Sequence, residues 1–382
     1  MRKLVQNLSY NQLKELEPFN YIFPAIRGIQ AGREYYVTMC PLKLVPKLFV
    51  FDEGEVPPSL RAQRVLNRAR IPEITNYILD NQKDYVFSAI TASIDGRVRF
   101  IPYGEAGRES YLGTLVVPMT SRMIINDGQH RRAAIEEALS IRPEIGNESI
   151  SVVYFIDAGL KRCQQMFADL NKYAVRPSKS LGILYDIRDP LSKLVMGLID
   201  EVPVFEGRVE IEKTSISNRS LKLFTLNNLY AGTAALLGKK KRREPVTVEQ
   251  ERLAKEYWTE VSKYMPEWQL LMDKKVTSAE LRRDFIHSHG IAIHALGIAG
   301  NTLVSKYPSD WKTHLRKLKG LDWSRSNAKL WEGRATIGGR VSKAQNNLVL
   351  TANVIKHILG LPLSGAEEKA EDSINRKSRG AS

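Results

Sequence analysis

The stretch that most constrains this chain is residues 122–139, RMIINDGQHRRAAIEEAL. An apolar run, Met123, Ile124 and Ile125, stops at Asn126, Asp127 and Gly128, and a helical period with Ala133, Ala134, Ile135 and Leu139 inward takes over. The spacing predicts a strand, a tight turn and a helix. One carboxylate, one glycine, one imidazole and two guanidiniums therefore fall where the first N–H groups of a helix lack partners. A helix N-terminus carries a partial positive charge and suits a phosphate or another anion. Arg131 and Arg132 oppose that dipole, so each needs a negative partner. Two sources are open: Glu136 and Glu137 on the helix with Asp127 as a cap, or an anionic ligand.

The string Asp127-Gly128-Gln129-His130-Arg131 resembles the signature of the DGQHR-domain family, whose DndB-type branch belongs to bacterial DNA phosphorothioation (DNA sulfur modification) systems. RAQRVLNRARIPEITNYILDN at 61–81, QMFADLNKYAVRPSKS at 165–180, LDWSRSNAKLWEG at 321–333 and TANVIKHILGL at 351–361 agree with it. More distantly, the turn is similar to the phosphate-binding turn of the ParB and sulfiredoxin superfamily, where Gly-Glu-Arg-Arg or Gly-Cys-His-Arg opens a helix. Gly128, His130 and Arg131 match the second pattern. Gln129 stands where sulfiredoxin has its reactive cysteine, which excludes thiol chemistry at this turn. It also stands where ParB has a glutamate, so hydrolysis of that type would fall to Asp127. The resemblance implies an α/β (α+β) protein with a ParB/sulfiredoxin-like mixed-sheet domain. It also implies a DNA-binding, repressor-type regulator of a phosphorothioation system, acting on double-stranded DNA beside other phosphorothioation proteins.

Composition agrees with a globular chain of two or three domains: 382 residues, 43% apolar and 26% charged. No run of eighteen apolar residues occurs and the N-terminus is too polar for a signal-peptide core, so a cytoplasmic location without a membrane is expected. Cys40 and Cys163 lie far apart with no CxxC or Cys-His spacing, which argues against a zinc site, haem, an iron–sulfur cluster or a disulfide framework. The net charge of +15 gives a field that attracts polyanions, of which nucleic acid is the commonest.

Punctuation divides the chain into an α/β domain over 1–190, a helical domain over 191–364 and a disordered tail over 365–382. Within the first, residues 1–30 read as a polar lead interrupted by Pro18 and Pro24. Tyr35–Val37 and Leu48–Phe51 look extended, and Leu60–Leu79 helical with a break at Pro72. Strands are expected at 85–94 and 98–101, joined as a hairpin through Asp95-Gly96, then at 113–118. The apolar ISVVYFI at 150–156 should pair in parallel with the 122–127 strand across the helix. A helix from Gln164 ends near Asn171. Arg61, Arg64, Arg68 and Arg70 form either a solvated face or a phosphate-contacting one. Helices are then expected at 190–198, 221–237, 248–265, 278–285, 291–305 and 348–359. Between two of them, Lys239, Lys240, Lys241, Arg242 and Arg243 form a basic loop that suits either solvent or the DNA backbone. His287, His289 and His294 match no zinc spacing and read as core or capping residues. Trp258, Trp268, Trp311, Trp323 and Trp331 read first as packing residues.

Two function classes follow. One is the DNA-binding regulator, with the basic loop and the helical half on DNA, acting either without a nucleotide or gated by one at the turn, and with a homodimer as the expected assembly. The other is a nucleotide-dependent enzyme, an ATPase or NTPase of the modification pathway. In the second, Arg131 grips phosphate oxygens, helped by Gly128, Gln129, Arg132, Arg64 and Asn171. Asp127 holds magnesium or orients a water, and His130 relays a proton, with ATP or CTP and magnesium as the ligand class. No Walker A loop is present.

Overall fold

The computed structural model describes residues 19–49, 68–160, 162–172 and 177–379. The chain divides into two compact units, residues 1–175 and 176–382.

The first unit is a seven-stranded mixed sheet with helices. Its strands are β1 (Asn20–Gln30), β2 (Arg33–Pro41), β3 (Ile90–Asp95), β4 (Arg99–Pro102), β5 (Leu112–Pro118), β6 (Arg122–Asp127) and β7 (Ser149–Ile156). The spatial order is β4-β5-β1-β2-β7-β3-β6. Side chains two residues apart share a face, which is why Ile90, Ala92 and Ile94, Met123 and Ile125, and Ile150, Val152 and Tyr154 all enter one core. Ala134, Ile135 and Ala138 of α3 (Gln129–Ile141) close that core. Beside α3 packs α2 (Ile71–Asp80), joined to it by the Thr75 hydroxyl donating to Glu137 at 2.9 Å. Pro72 sits in the first turn of α2, where its missing N–H costs nothing, so it starts the helix rather than breaking it.

Four sequence expectations change here. The Asp95-Gly96 turn makes no hairpin: β3 is flanked by β7 and β6, so both its edges are taken, and β4 pairs with β5 instead. The β6–α3–β7 segment is no parallel crossover, because β6 runs antiparallel to β3 while β3 runs parallel to β7. Leu48 is helical rather than extended, closing the short α1 (Val45–Leu48) that Pro46 opens; Val50 and Phe51 lie outside the described residues. The polar lead, in turn, contains the eleven-residue β1 with Pro24 inside it. α4 (Cys163–Lys172) packs on β6.

The second unit is mainly helical: α5 (Lys179–Leu184), α6 (Pro190–Glu201), α7 (Leu226–Leu236), α8 (Val248–Lys263), α9 (Pro266–Met272), α10 (Ser278–Asp284), α11 (Gly290–Lys306), α12 (Trp311–Leu315), α13 (Ala328–Trp331), α14 (Gln345–Leu359) and α15 (Gly365–Arg379). Two short pairings accompany them, β8 (Val209–Glu210) with β9 (Phe224–Thr225) and β10 (Thr336–Ile337) with β11 (Arg340–Val341). α11 is apolar on every side and accordingly runs through the core. It meets α7 backbone to backbone: a Cβ on Gly297 would stand 2.0 Å from the Gly232 carbonyl oxygen, so the close crossing needs both glycines. All five tryptophans are buried, and Trp258 donates to the Thr233 hydroxyl and Trp268 to His287. The stretch expected to be a disordered tail carries α15. Its acidic residues meet cations left by the core, Glu367 pairing with the buried Lys356 at 2.7 Å and Glu371 with Arg334 at 2.5 Å. Residues 380–382 lie outside the described residues.

Candidate functional site

The turn between β6 and α3 is anchored from below. Asn126, the last inward residue of β6, is fully buried; its amide donates to the Ser93 hydroxyl on β3 at 2.7 Å, and the Cys163 thiol on α4 donates to its Oδ1 at 2.7 Å. Three elements thus fix where Asp127 emerges. Gly128 follows at φ 113°, a backbone state that side chains rarely adopt. A Cβ there would stand 3.1 Å from both the Arg131 guanidinium and Ile90, so the arginine lies over the glycine. No side chain caps α3. Gln129 is buried, and its amide nitrogen donates back to the carbonyls of Ile125 (3.1 Å) and Asn126 (3.4 Å), stitching the turn to its strand.

The two arginines have separate tasks. Arg131 donates to Asp127 Oδ2 at 2.8 Å and to the Ala89 carbonyl at 3.1 Å, while its Nε, buried beside Gly128, has no acceptor. Arg132 turns the other way: Nε donates to the Phe49 carbonyl at 2.9 Å, Nη2 to the Pro46 carbonyl at 3.1 Å, and Nη1 pairs with Glu136. It holds the segment after β2 against α3. His130 is held below the usual imidazole range by burial first and then by the Arg70 and Arg131 cations, with Asp127 opposing them. That brings Arg70, one of the four arginines of the 61–70 stretch, to the turn.

The site therefore offers a helix N-terminus without a side-chain cap, a buried glycine covered by Arg131, an arginine shared between the Asp127 ion pair and the Ala89 carbonyl, and an imidazole whose charged form is disfavoured. Asp127 is 44% exposed with Oδ2 on Arg131, which leaves Oδ1 as the oxygen it can give to a magnesium ion alongside a ligand's phosphates. Among the described residues no three His, Cys, Asp or Glu side chains gather as a metal site.

The other candidate residues are dispersed. Arg64 lies outside the described residues, and Asn171 lies in α4 with its side chain outside them. In the basic loop Lys240, Lys241 and Arg242 are exposed; the loop is braced by Glu244, which accepts from the backbone N–H groups of Lys240 (3.0 Å) and Lys241 (2.6 Å), and by Arg243 pairing with Asp186 at 3.5 Å. His287 is fully buried: it accepts from Trp268 on Nδ1 and so donates from Nε2 to Glu267. His289 caps α11. Both cysteines are buried, and burial pushes the Cys40 thiol up to about 12.

Two features escaped the sequence reading. Nothing in a strand-end asparagine announces the Asn126–Ser93–Cys163 anchor, because its partners are 33 and 37 residues away. The division of charge was legible but undivided: residues 1–175 carry 22 Lys and Arg against 19 Asp and Glu, a net +3, whereas residues 176–382 carry 35 against 23, a net +12.

A family model described as DndB, DNA-sulfur modification-associated, matches residues 23–362. The chain belongs to the DndB family. The match spans the mixed sheet, the Asp127–Arg131 turn and the helical unit through α14, so the DndB assignment covers both units and not the turn alone. It places the chain in DNA sulfur modification. Neither curated proteins nor solved structures give a match. No helix among the described residues is long and apolar enough to cross a membrane.

Proposed function

We propose that this DndB-family protein is a DNA-binding regulator of its DNA sulfur modification system, with duplex DNA engaged by the helical unit. The observation that carries the reading is the charge division: +12 of the total +15 falls in residues 176–382. Phosphate neutralisation by Lys and Arg supplies most sequence-independent DNA affinity, so the unit with the cationic excess is the one that meets DNA. Exposed Lys240, Lys241 and Arg242 contribute one patch, and Arg316, Lys317 and Lys319, exposed after α12, a second. The regulatory part of the reading rests on the resemblance to proteins that tune their own operon.

Fluorescence anisotropy with duplex DNA from upstream of its own gene, and with an unrelated duplex of equal length, tests this. Binding should weaken steeply between about 50 and 200 mM salt, with the upstream duplex preferred at least tenfold near physiological salt. Equal affinity for both duplexes would remove the regulator reading, and no binding at low salt would remove the DNA contact.

A second reading has its own observation. The buried Nε of Arg131 without an acceptor, next to an uncapped helix N-terminus, favours an anion at the turn. ATP or CTP with magnesium would place a phosphate where Asp127 now holds Arg131, gating DNA engagement or being hydrolysed with Asp127 orienting water and His130 moving a proton. Calorimetric titration with ATP and CTP in magnesium decides it: wild-type heat lost in Arg131→Lys supports the site, and heat unchanged in that variant removes it.

A further inference from the structure

The second unit holds a cavity of about 640 Å³ between the 214–225 segment, the α10–α11 junction and the 325–343 segment. Four cations line it, Arg282, Arg283, Arg325 and Lys343, and no Asp or Glu does. Arg283 is neutralised by a two-pronged pair with Asp284, at 2.8 and 2.7 Å. The other three make no ion pair among the described residues, although Arg325 lies near enough to Asp284 to help hold its carboxyl below the usual range. Arg282 donates to the carbonyls of Ser217, Asn218 and Ser220, each at 3.0 Å, and of Lys222, so it shapes one wall without meeting a carboxylate. Arg325 donates to the carbonyls of Arg283 (3.0 Å) and Gly339 (2.9 Å). Neither the Lys343 ammonium nor the Asn228 side-chain amide makes a hydrogen bond among the described residues.

Three cations outside any ion pair around one concavity focus a positive potential that a convex surface would dissipate. The remaining lining includes the apolar side chains of Ile216, Leu223, Ile291 and Val341. A ligand matching both is an anion attached to a flat or apolar body. The volume lies within the roughly 300–1,000 Å³ of single small-molecule sites. No Phe, Tyr or Trp lines it, so it lacks the large stacking platforms on which successive bases of a single strand are held. His289 donates from Nε2 to the Arg282 carbonyl at 2.9 Å, which leaves Nδ1 as an acceptor at the cavity edge.

We propose that this cavity of the helical unit binds a free nucleoside phosphate, its phosphates on Arg325 and Lys343 and its base against the Ile216, Leu223, Ile291 and Val341 side chains. The site is separate from the turn at Asp127–Arg131 and does not rest on the DNA-binding reading.

Isothermal titration of the full chain with ATP at low salt is the test. Wild type should bind; Lys343→Glu and Asn228→Ala, both at side chains with no hydrogen-bond partner among the described residues, should each weaken binding at least tenfold, and Lys343→Arg should stay within about threefold. Arg131→Lys should leave this affinity unchanged. Absence of ATP binding to wild type, or binding indifferent to Lys343→Glu and Asn228→Ala, overturns the proposal. So does binding lost in Arg131→Lys instead, which would move the nucleotide to the turn. A single-stranded oligonucleotide that binds more tightly than ATP and is lost in Lys343→Glu would assign the cavity to a strand and overturn it as well.

Discussion

Arg132 is the sharpest place to separate a structural arginine from a ligand arginine. Its guanidinium meets two backbone carbonyls, Phe49 at 2.9 Å and Pro46 at 3.1 Å, from different nitrogens, and its side chain is 11% exposed. Lysine has one nitrogen and a shorter fork, so Arg132→Lys keeps at most one of these contacts. A hydrogen bond from a charged donor contributes about 1.5–3 kcal/mol, and that is the expected loss. The Glu136 partner is 53% exposed and sits one helical turn on, so Glu136→Gln should cost no more than about 0.5 kcal/mol. Urea unfolding of the full chain, followed by far-UV circular dichroism, measures both. Hydrogen exchange should locate the loosening at Val45–Phe49. If Arg132→Lys costs no more than Glu136→Gln, the carbonyl clamp is not what Arg132 does, and its place among phosphate ligands reopens.

Gly128→Ala should cost about 1–3 kcal/mol from the positive φ alone, with a further penalty because its Cβ meets Arg131 and Ile90 at 3.1 Å; Gly32→Ala, at φ 71° with open space around it, is the control and should cost less. Gln129→Glu would set a carboxylate against two carbonyls, so it should destabilise by about 2–4 kcal/mol at neutral pH, and chemical denaturation should show part of the loss recovered as pH falls from neutral toward about 4.3, because the carboxyl protonates in the folded protein before it does in the unfolded chain. His289, lowered to about 4 chiefly by burial, binds its proton more readily unfolded; its contribution is complete above about pH 6.5 and is lost as pH falls toward 4, so His289→Gln should flatten stability against pH in that window. Alanine at Lys240, Lys241 and Arg242 together should reduce the salt slope of duplex binding by roughly two to three units, and an unchanged slope would transfer the contact to Arg316, Lys317 and Lys319.

Local signals carried far in this chain, and their failures share a cause. Six helices between Pro190 and Leu359 are legible because period, caps and length agree within each segment, as at Thr247 and Thr277, where the capping box is complete, whereas the short Pro266–Met272, Trp311–Leu315 and Ala328–Trp331 carry too few turns to show a period. The sheet was legible strand by strand but not in its order. Asp95-Gly96 has hairpin chemistry, yet the neighbours of β3 are set by which apolar faces must share one core, and β6 and β7 claim both edges. Pro24 hid β1 because proline is normally excluded from strand interiors, although Phe23 and Ala25 alternate inward as a strand requires. The tail misled for an electrostatic reason: Gly365–Arg379 is polar enough to stay unfolded alone, and Lys356 and Arg334, distant in sequence, give its acids something to fold against.

The same limit governs the turn. That Asp127 through Arg131 would sit between a strand and a helix follows from hydrophobic pattern alone, and the conformation of Gly128 follows from residue type. Which guanidinium is spoken for does not. In sequence Arg131 and Arg132 are equivalent, each with a carboxylate four residues away, Asp127 before one and Glu136 after the other. Helix geometry separates them by about 100°, and that rotation sends Arg132 to the carbonyls of Pro46 and Phe49 and lays Arg131 over Gly128. A backbone carbonyl cannot move away when an anion arrives, whereas the half-exposed Asp127 can. Arg131 also donates to one carbonyl, that of Ala89, but through the same Nη2 that meets Asp127 and with its buried Nε lacking an acceptor among the described residues, so of the two it is the one that can take up an anion while keeping its backbone contact.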